Sequence, residues 1–223
     1  EIHSGDWSSD VCSSDLCKAV EIPYDIDGIS LNDNRCDGDL DGEGHSLPGE
    51  QLGSEVESEG IVFKIGPSKY HEKNVLVCDG QEVKLPAGDY DTLYLLACSV
   101  GGDAKGKIQI GNRTHRLSVQ DYHARLGSWD DRVVKGSYVN EVKDMIPAFI
   151  KRDPVAWVGQ HRHSAAANAD EAYEYCYLFK YAVPLAKGDR SVRLPENRRI
   201  RVLAMTVAKN PNEQTSAAGV LYD

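Results

Sequence analysis

Long apolar runs are missing from this sequence. No stretch reaches the ~20 apolar residues that a membrane-crossing helix needs, so no partnership with a membrane is expected. The cysteines form no CxxC pair, which argues against a structural zinc site. A GxSxG nucleophile elbow, an HExxH pair, a Walker A loop and a dinucleotide fingerprint are all lacking. Serine-hydrolase, zinc-protease and nucleotide chemistry therefore find no support. Bases are in the minority: 25 Lys and Arg against 35 Asp and Glu give a net charge of −10. An acidic surface disfavours nonspecific binding to phosphate backbones, so nucleic acid is not an expected partner.

The first residues stand apart from the rest. Asp6 to Leu16 reads DWSSDVCSSDL, without any apolar period. It looks like a translated sequencing adapter joined to an assembled gene fragment, and residues 1–16 are set aside as non-native. Removing Glu1, Asp6, Asp10 and Asp15, with no base among them, brings the net charge to −6. The natural start of the chain, and any signal peptide, is then out of view. Cys17, Cys36, Cys78, Cys98 and Cys176 are widely spaced and odd in number, which leaves the disulfide state open. Cys78, Cys98 and Cys176 lie in apolar runs and read as small buried hydrophobes.

What the sequence has is a series of short β-type runs separated by turns. Ile61–Ile65, Val75–Cys78, Thr92–Cys98, Lys107–Ile110 and Thr114–Val119 are bounded by Gly66-Pro67, Asp79-Gly80, Pro86 to Asp89 and Gly101-Gly102. Such spacing predicts an all-β sandwich or barrel. Gly111-Asn112-Arg113 reads as a hairpin connection. Arg190–Leu194 is a short alternating strand, turned at Pro195-Glu196-Asn197 into Arg199–Val207. That last run is nearly continuous in apolar residues and reads as a central strand buried on both faces. Tyr173, Tyr175, Tyr177, Phe179 and Tyr181 alternate, which puts five rings on one face of a strand. They either fill the core between sheets or offer a sugar-stacking platform at their outer end. Residues 128–152 read as a long insertion at the rim with a turn or two of helix at Asn140–Met145 stopped by Pro147. The composition after Lys209 turns to that of a linker. The expected domain is 17–208.

Two stretches carry candidate chemistry. Asp37-Gly38-Asp39-Leu40-Asp41-Gly42 is half of a calcium-loop pattern, with Asp37, Asp39 and Asp41 as candidate ligands of a structural calcium. The twelfth loop position, where an EF-hand has Glu, is Pro48 here. The alternative is a turn whose Asp side chains accept backbone N–H groups. In Trp157 to His163, WVGQHRH, two His at i and i+2 share one strand face and can hold a metal. Asp170, Glu171 and His123 qualify as a third ligand by type alone. The alternative is that these side chains hydrogen-bond and stack at a sheet rim, where Trp157 with His161, His163 and Trp129 would grip a sugar.

Gly28–Glu50, with Asp27-Gly28-Ile29, Asp39 to Gly42, Gly44, Ser46 and Pro48, resembles the β-sandwich accessory domain of bacterial family 38 α-mannosidases. So do Gly80-Gln81-Glu82-Val83-Lys84-Leu85-Pro86, the YDTLYLLA run at Tyr90–Ala97, and Leu194-Pro195-Glu196-Asn197 through Thr206. The resemblance covers about residues 21–223. Asp121-Tyr122 departs from it, because Asp-Trp is expected there. It implies an antiparallel two-sheet sandwich of jelly-roll, galactose-binding-like type. It also implies a module without an active site of its own, whose partner is a glycan or a catalytic domain on the same parent chain. A secreted or periplasmic location fits this better than a cytoplasmic one. A stand-alone metal-dependent hydrolase or lectin using His161 and His163 is the alternative.

Overall fold

A computed structural model describes residues 17–123 and 153–209. The adapter-like segment, the 128–152 insertion with Trp129, its helical turn at Asn140–Met145, and the linker after Lys209 lie outside the described residues.

The described chain is a β-sandwich. Its strands are β1 (Cys17–Ala19), β2 (Ile29–Ser30), β3 (His45–Pro48), β4 (Glu55–Ser58), β5 (Ile61–Lys64), β6 (Leu76–Val77), β7 (Glu82–Lys84), β8 (Thr92–Ser99), β9 (Ala104–Ile110) and β10 (Arg113–Val119). After the insertion come β11 (Val155–Ser164), β12 (Ala169–Pro184), β13 (Ser191–Arg193) and β14 (Ile200–Ala208). One short helix, α1 (Gly49–Leu52), follows β3. The large sheet runs β1-β14-β8-β12-β11-β3-β2, with β6 also on β14; the small sheet runs β10-β9-β13-β7; β4 and β5 form a separate hairpin. Pairing is antiparallel except between β2 and β3.

The expected strands form, with boundaries shifted by pairing. Lys107–Ile110 extends back to Ala104, because β9 pairs along its whole length with β10. The hairpin turn is Gly111-Asn112 alone, with Arg113 already opposite Ile110 and Gly111 at φ +56°, where an L side chain is strained. β14 is buried at every residue. Cys78, Cys98 and Cys176 are buried free thiols, and burial pushes Cys78 and Cys176 up to about 12.

The aromatic run of β12 does not stay on one face. Between Gly159 and His161, β11 advances two residues while β12 advances from Cys176 to Ala172. The surplus is taken up in a bulge, with Tyr173 at φ +66°. Inward of it, Tyr177, Phe179 and Tyr181 form one buried ladder with ring centroids 6.5 Å apart. Outward of it, Tyr173 is 83% exposed and Tyr175 42%. The strip therefore divides between core and rim.

Phe179→Ala is expected to cost about 3–5 kcal/mol of stability, the range for deleting a buried ring. Tyr173→Ala should stay within about 0.5 kcal/mol, as for an exposed side chain. Urea unfolding of the two variants checks the division: equal losses would contradict it.

Candidate functional site

The Asp-rich turn is held by its own side chains. Leu40 is the apolar residue of the pattern and is fully buried. Its N–H donates to the His45 carbonyl at 2.6 Å, and its carbonyl accepts from Arg201 Nε at 2.8 Å. Fixing Leu40 inward turns the flanking carboxylates to separate tasks. Asp39 Oδ1 accepts the N–H groups of Gly42 and Gly44 at 2.7 and 3.1 Å. Asp37 takes the His71 N–H and faces its ring. Asp41 Oδ1 accepts the Glu43 N–H at 2.9 Å. Among the described residues, Asp37, Asp39 and Asp41 do not gather into one ligand set; Asp41 instead clusters with Glu43 and His45. The arrangement has the form of the alternative, a turn whose Asp side chains accept backbone N–H groups.

Asp41 belongs to a closed polar ring. Its Oδ2 accepts the Tyr122 hydroxyl at 2.7 Å and pairs with His45 Nδ1 at 2.8 Å. Arg162 donates to the Tyr122 oxygen at 3.3 Å and through Nε to Glu171 at 2.5 Å. Glu171 in turn lies 3.8 Å from His45 Nε2. Burial alone would raise the Asp41 carboxyl. The bonds from Tyr122, Glu43 N–H and His45 outweigh it and hold the group below its ordinary value. Burial, then the bond to Asp41, pushes the Tyr122 hydroxyl up. The Tyr at the position where the resemblance has Trp is thus a core ring whose oxygen closes this network.

On β11 the residues singled out by sequence sit beside α1. Gln51 is their clamp, and nothing in its sequence context marks it. Its carbonyl accepts Trp157 Nε1–H at 3.3 Å, and its side-chain Oε1 accepts the Gln160 N–H at 2.9 Å. That fixes the amide so that Nε2 donates to His161 Nδ1 at 3.1 Å. Trp157 is half-buried and packs on the core. Its indole lies over Gly159, where an added Cβ would meet the ring at 2.5 Å.

His163 is fully buried, which removes it from any sugar-contacting surface. Its Nδ1 lies 2.8 Å from the Ser30 hydroxyl, itself 2.5 Å from Ser46. The rings of His161 and His163 stack at 5.4 Å. Both Nε2 atoms point to Asp170 Oδ1, at 3.7 and 3.3 Å, and neither makes a hydrogen bond. The strand register thus selects Asp170 from the candidates by type. Glu171 goes to Arg162, and His123 pairs with Glu174. Arg35 also grips Asp170, at 2.5 and 3.3 Å, and holds its carboxyl below the ordinary value. Desolvation lowers His163 below 6.5 despite the nearby carboxylates.

Residues 16–211 match the model of the AziU2-like beta-sandwich domain. No curated protein matches the chain.

Two outcomes follow from this geometry. Tyr122→Phe deletes both bonds of the hydroxyl and should cost about 1–2 kcal/mol, read by thermal unfolding; an unchanged midpoint would remove the network from the stability account. Because the fold lowers the His163 pKa, its contribution is fully present above the unfolded value of 6.5 and is lost as pH falls toward the folded value. The melting midpoint should therefore drop as pH falls from neutral through 6.5, and His163→Gln should flatten that slope.

Proposed function

The chain belongs to the AziU2-like β-sandwich domain family, and we propose that this sandwich is a noncatalytic accessory module, structural or carbohydrate-binding, of an α-mannosidase-like glycoside hydrolase, with carbohydrate binding the reading developed below. The observation that carries the reading is the exposed aromatic end of the β11–β12 pair. Tyr173 and Tyr175 present their rings to solvent, and Val158 is exposed on β11 opposite Tyr177. Trp157, paired opposite Leu178, offers a half-buried indole on the other face of the strand pair. Such rings bind a sugar by laying their faces on its C–H groups, while polar side chains at the rim take its hydroxyls. His161 is partly exposed, but its Nδ1 is taken by Gln51 and its Nε2 is buried, so it supports the rim rather than offering a polar atom to a ligand. The α-mannosidase assignment rests on the resemblance of the Gly28–Glu50, Gly80–Pro86 and Leu194–Thr206 motifs. Asp37, Asp39 and Asp41 serve the module as turn-forming acceptors.

One observation favours a second reading, a metal-dependent lectin or hydrolase. Ligand atoms of a tetrahedral metal lie roughly 3.3 Å apart when each bond is ~2.0–2.1 Å, and His163 Nε2 and Asp170 Oδ1 match that spacing. Gln51 opposes it: by donating to His161 Nδ1 it keeps the neutral ring's proton on Nε2, the atom a metal would need.

Glycan-array screening of the chain, followed by titration calorimetry, tests the first reading. Tyr173→Ala and Trp157→Ala should each weaken binding of the captured neutral glycan about tenfold or less, since a stacked ring contributes on the order of 1 kcal/mol beyond area burial. Trp157→Ala should also cost roughly 2 kcal/mol of stability, less than a fully buried ring. An array without any captured glycan, or stoichiometric zinc binding with glycosidase turnover, would overturn the module reading.

A further inference from the structure

The outer face of the small sheet carries a groove of about 740 Å³ that is lined by Lys105, Lys107, Gln109, Arg116, Ser118 and Arg193. On β9, Lys105, Lys107 and Gln109 alternate with buried residues and so point outward together. Lys107 stands directly opposite Arg116 on β10, and Gln109 directly opposite Arg193 on β13. Like charges directly opposite on one sheet face are destabilising. This chain has a surplus of acids, 35 against 25 bases, yet among the described residues no acid is paired with Lys107 or Arg116. Among the described residues, none of the four cations forms an ion pair, in contrast to Arg35, Lys64, Arg113, Arg162, Lys180, Arg198 and Lys209. Among the described residues, acids adjoin the groove at one border. Glu196 lines the groove, and Glu82 lies opposite Arg193 with its carboxylate bonded to Ser191.

We propose that this groove is a binding site for an acidic carbohydrate, one bearing carboxylate or sulfate groups. Its four cations would meet the anionic groups, while Gln109 and Ser118 would take neighbouring hydroxyls. The site is distinct from the aromatic rim and does not rest on it: the rim belongs to β11 and β12 of the large sheet, the groove to β9, β10 and β13 of the small one. A nucleic acid fits less well. The groove has no aromatic ring among its lining residues on which a base could stack. The repulsion between Lys107 and Arg116 in the free protein is the feature that the bound anion would relieve.

Titration calorimetry of the full chain with oligogalacturonate, a heparin-derived tetrasaccharide, a neutral mannan oligosaccharide and a single-stranded DNA of matched charge tests this. One of the two acidic sugars should bind, more weakly at higher salt, and Lys107→Gln/Arg116→Gln should weaken it at least about tenfold. The same double variant should melt no lower than the parent, because it removes a like-charge pair. Trp157→Ala should leave acidic-sugar binding unchanged, which separates failure of the groove from failure of the rim. Absence of binding to both acidic sugars, equal binding of the DNA, or a double variant that binds as the parent does would overturn the proposal.

Discussion

The large sheet must be covered on both faces, and the rest of the structure follows from that requirement. β8 is buried from Leu93 to Ser99, β14 at all nine residues, and β12 from Cys176 to Tyr181. One small sheet cannot cover both sides of such a layer. The other cover is assembled from pieces that are too short to fold alone: the β4–β5 hairpin, α1 and the Asp-rich turn. The hairpin and the turn are each fastened by a polar side chain that the central strands hold in an otherwise apolar setting, and α1 by its own Gln51 on β11. Lys180 is 6% exposed, lies over the Tyr94 ring at 5.6 Å and pairs with Glu59 at the tip of the hairpin. Thr206 donates to the Val62 carbonyl at 2.8 Å on β5. Arg201 takes the Leu40 carbonyl of the turn and, through its second nitrogen, that of Arg198. An unpartnered polar group here would cost about 1–3 kcal/mol, so these bonds specify which piece of cover lies where.

The same requirement shapes the candidate rim. β11 is the neighbour of β12 on the side away from β8, and among the described residues its outer edge pairs with β3 at His163 and Ser164. α1 and the turn must close over that end. They do so with Gln51 on Trp157, Gln160 and His161, and with the Asp41–Tyr122–Arg162 ring below. The bulge at Tyr173 lets β12 leave the covered region while keeping its pairing with β11. A straight strand would carry the aromatic row on along one face; the bulged one releases Tyr173 and Tyr175 to solvent. Core formation and ring exposure are thus two consequences of one backbone irregularity.

Much of the fold was legible because it rests on local signals. The β5, β8, β9, β10 and β14 runs are dense in branched and aromatic residues, and Gly111-Asn112 has the composition its turn demands. β14 showed its two-sided burial through the lack of alternation. What escaped depends on partners distant in sequence. α1 has four residues and no side-chain cap, so no periodicity could announce it. β2 and β6, of two residues each, exist only because β3 and β14 lie beside them. The aromatic row read as one face because period two assumes an unbroken strand, and the left-handed residue that breaks it is a Tyr rather than a Gly. In the Asp-rich turn, charge pattern pointed to a cation, but Leu40 decides the geometry by entering the core. The pair of His at 161 and 163 was visible by spacing. Selecting Asp170 over Glu171 needed the β11–β12 register, and Gln51, 110 residues from its histidine partner, could not be inferred from spacing at all.

The clamp at Gln51 also shows why residue type alone overstates chemistry at this edge. Two stacked imidazoles and a carboxylate have the donor set of a metal centre, yet the hydrogen bonds behind them differ in sense. Ser30 is a hydroxyl that can accept or donate, so His163 is free to carry its proton on either nitrogen. Gln51 is an amide whose oxygen is already committed to the Gln160 N–H, so it can only donate to His161. One ring is therefore adaptable and the other is fixed with a proton facing Asp170. That asymmetry suits a brace in which Asp170 is hydrogen-bonded by Arg35 and faced by two imidazoles, and which ties the 35–37 loop to the β11–β12 ladder. The brace holds the end of the strand pair that carries the exposed rings, and rigid support of that kind lowers the ordering cost of any ligand bound there. The ionisable groups of this corner fix the backbone of the strand pair whose outer rings, Tyr173 and Tyr175, face solvent.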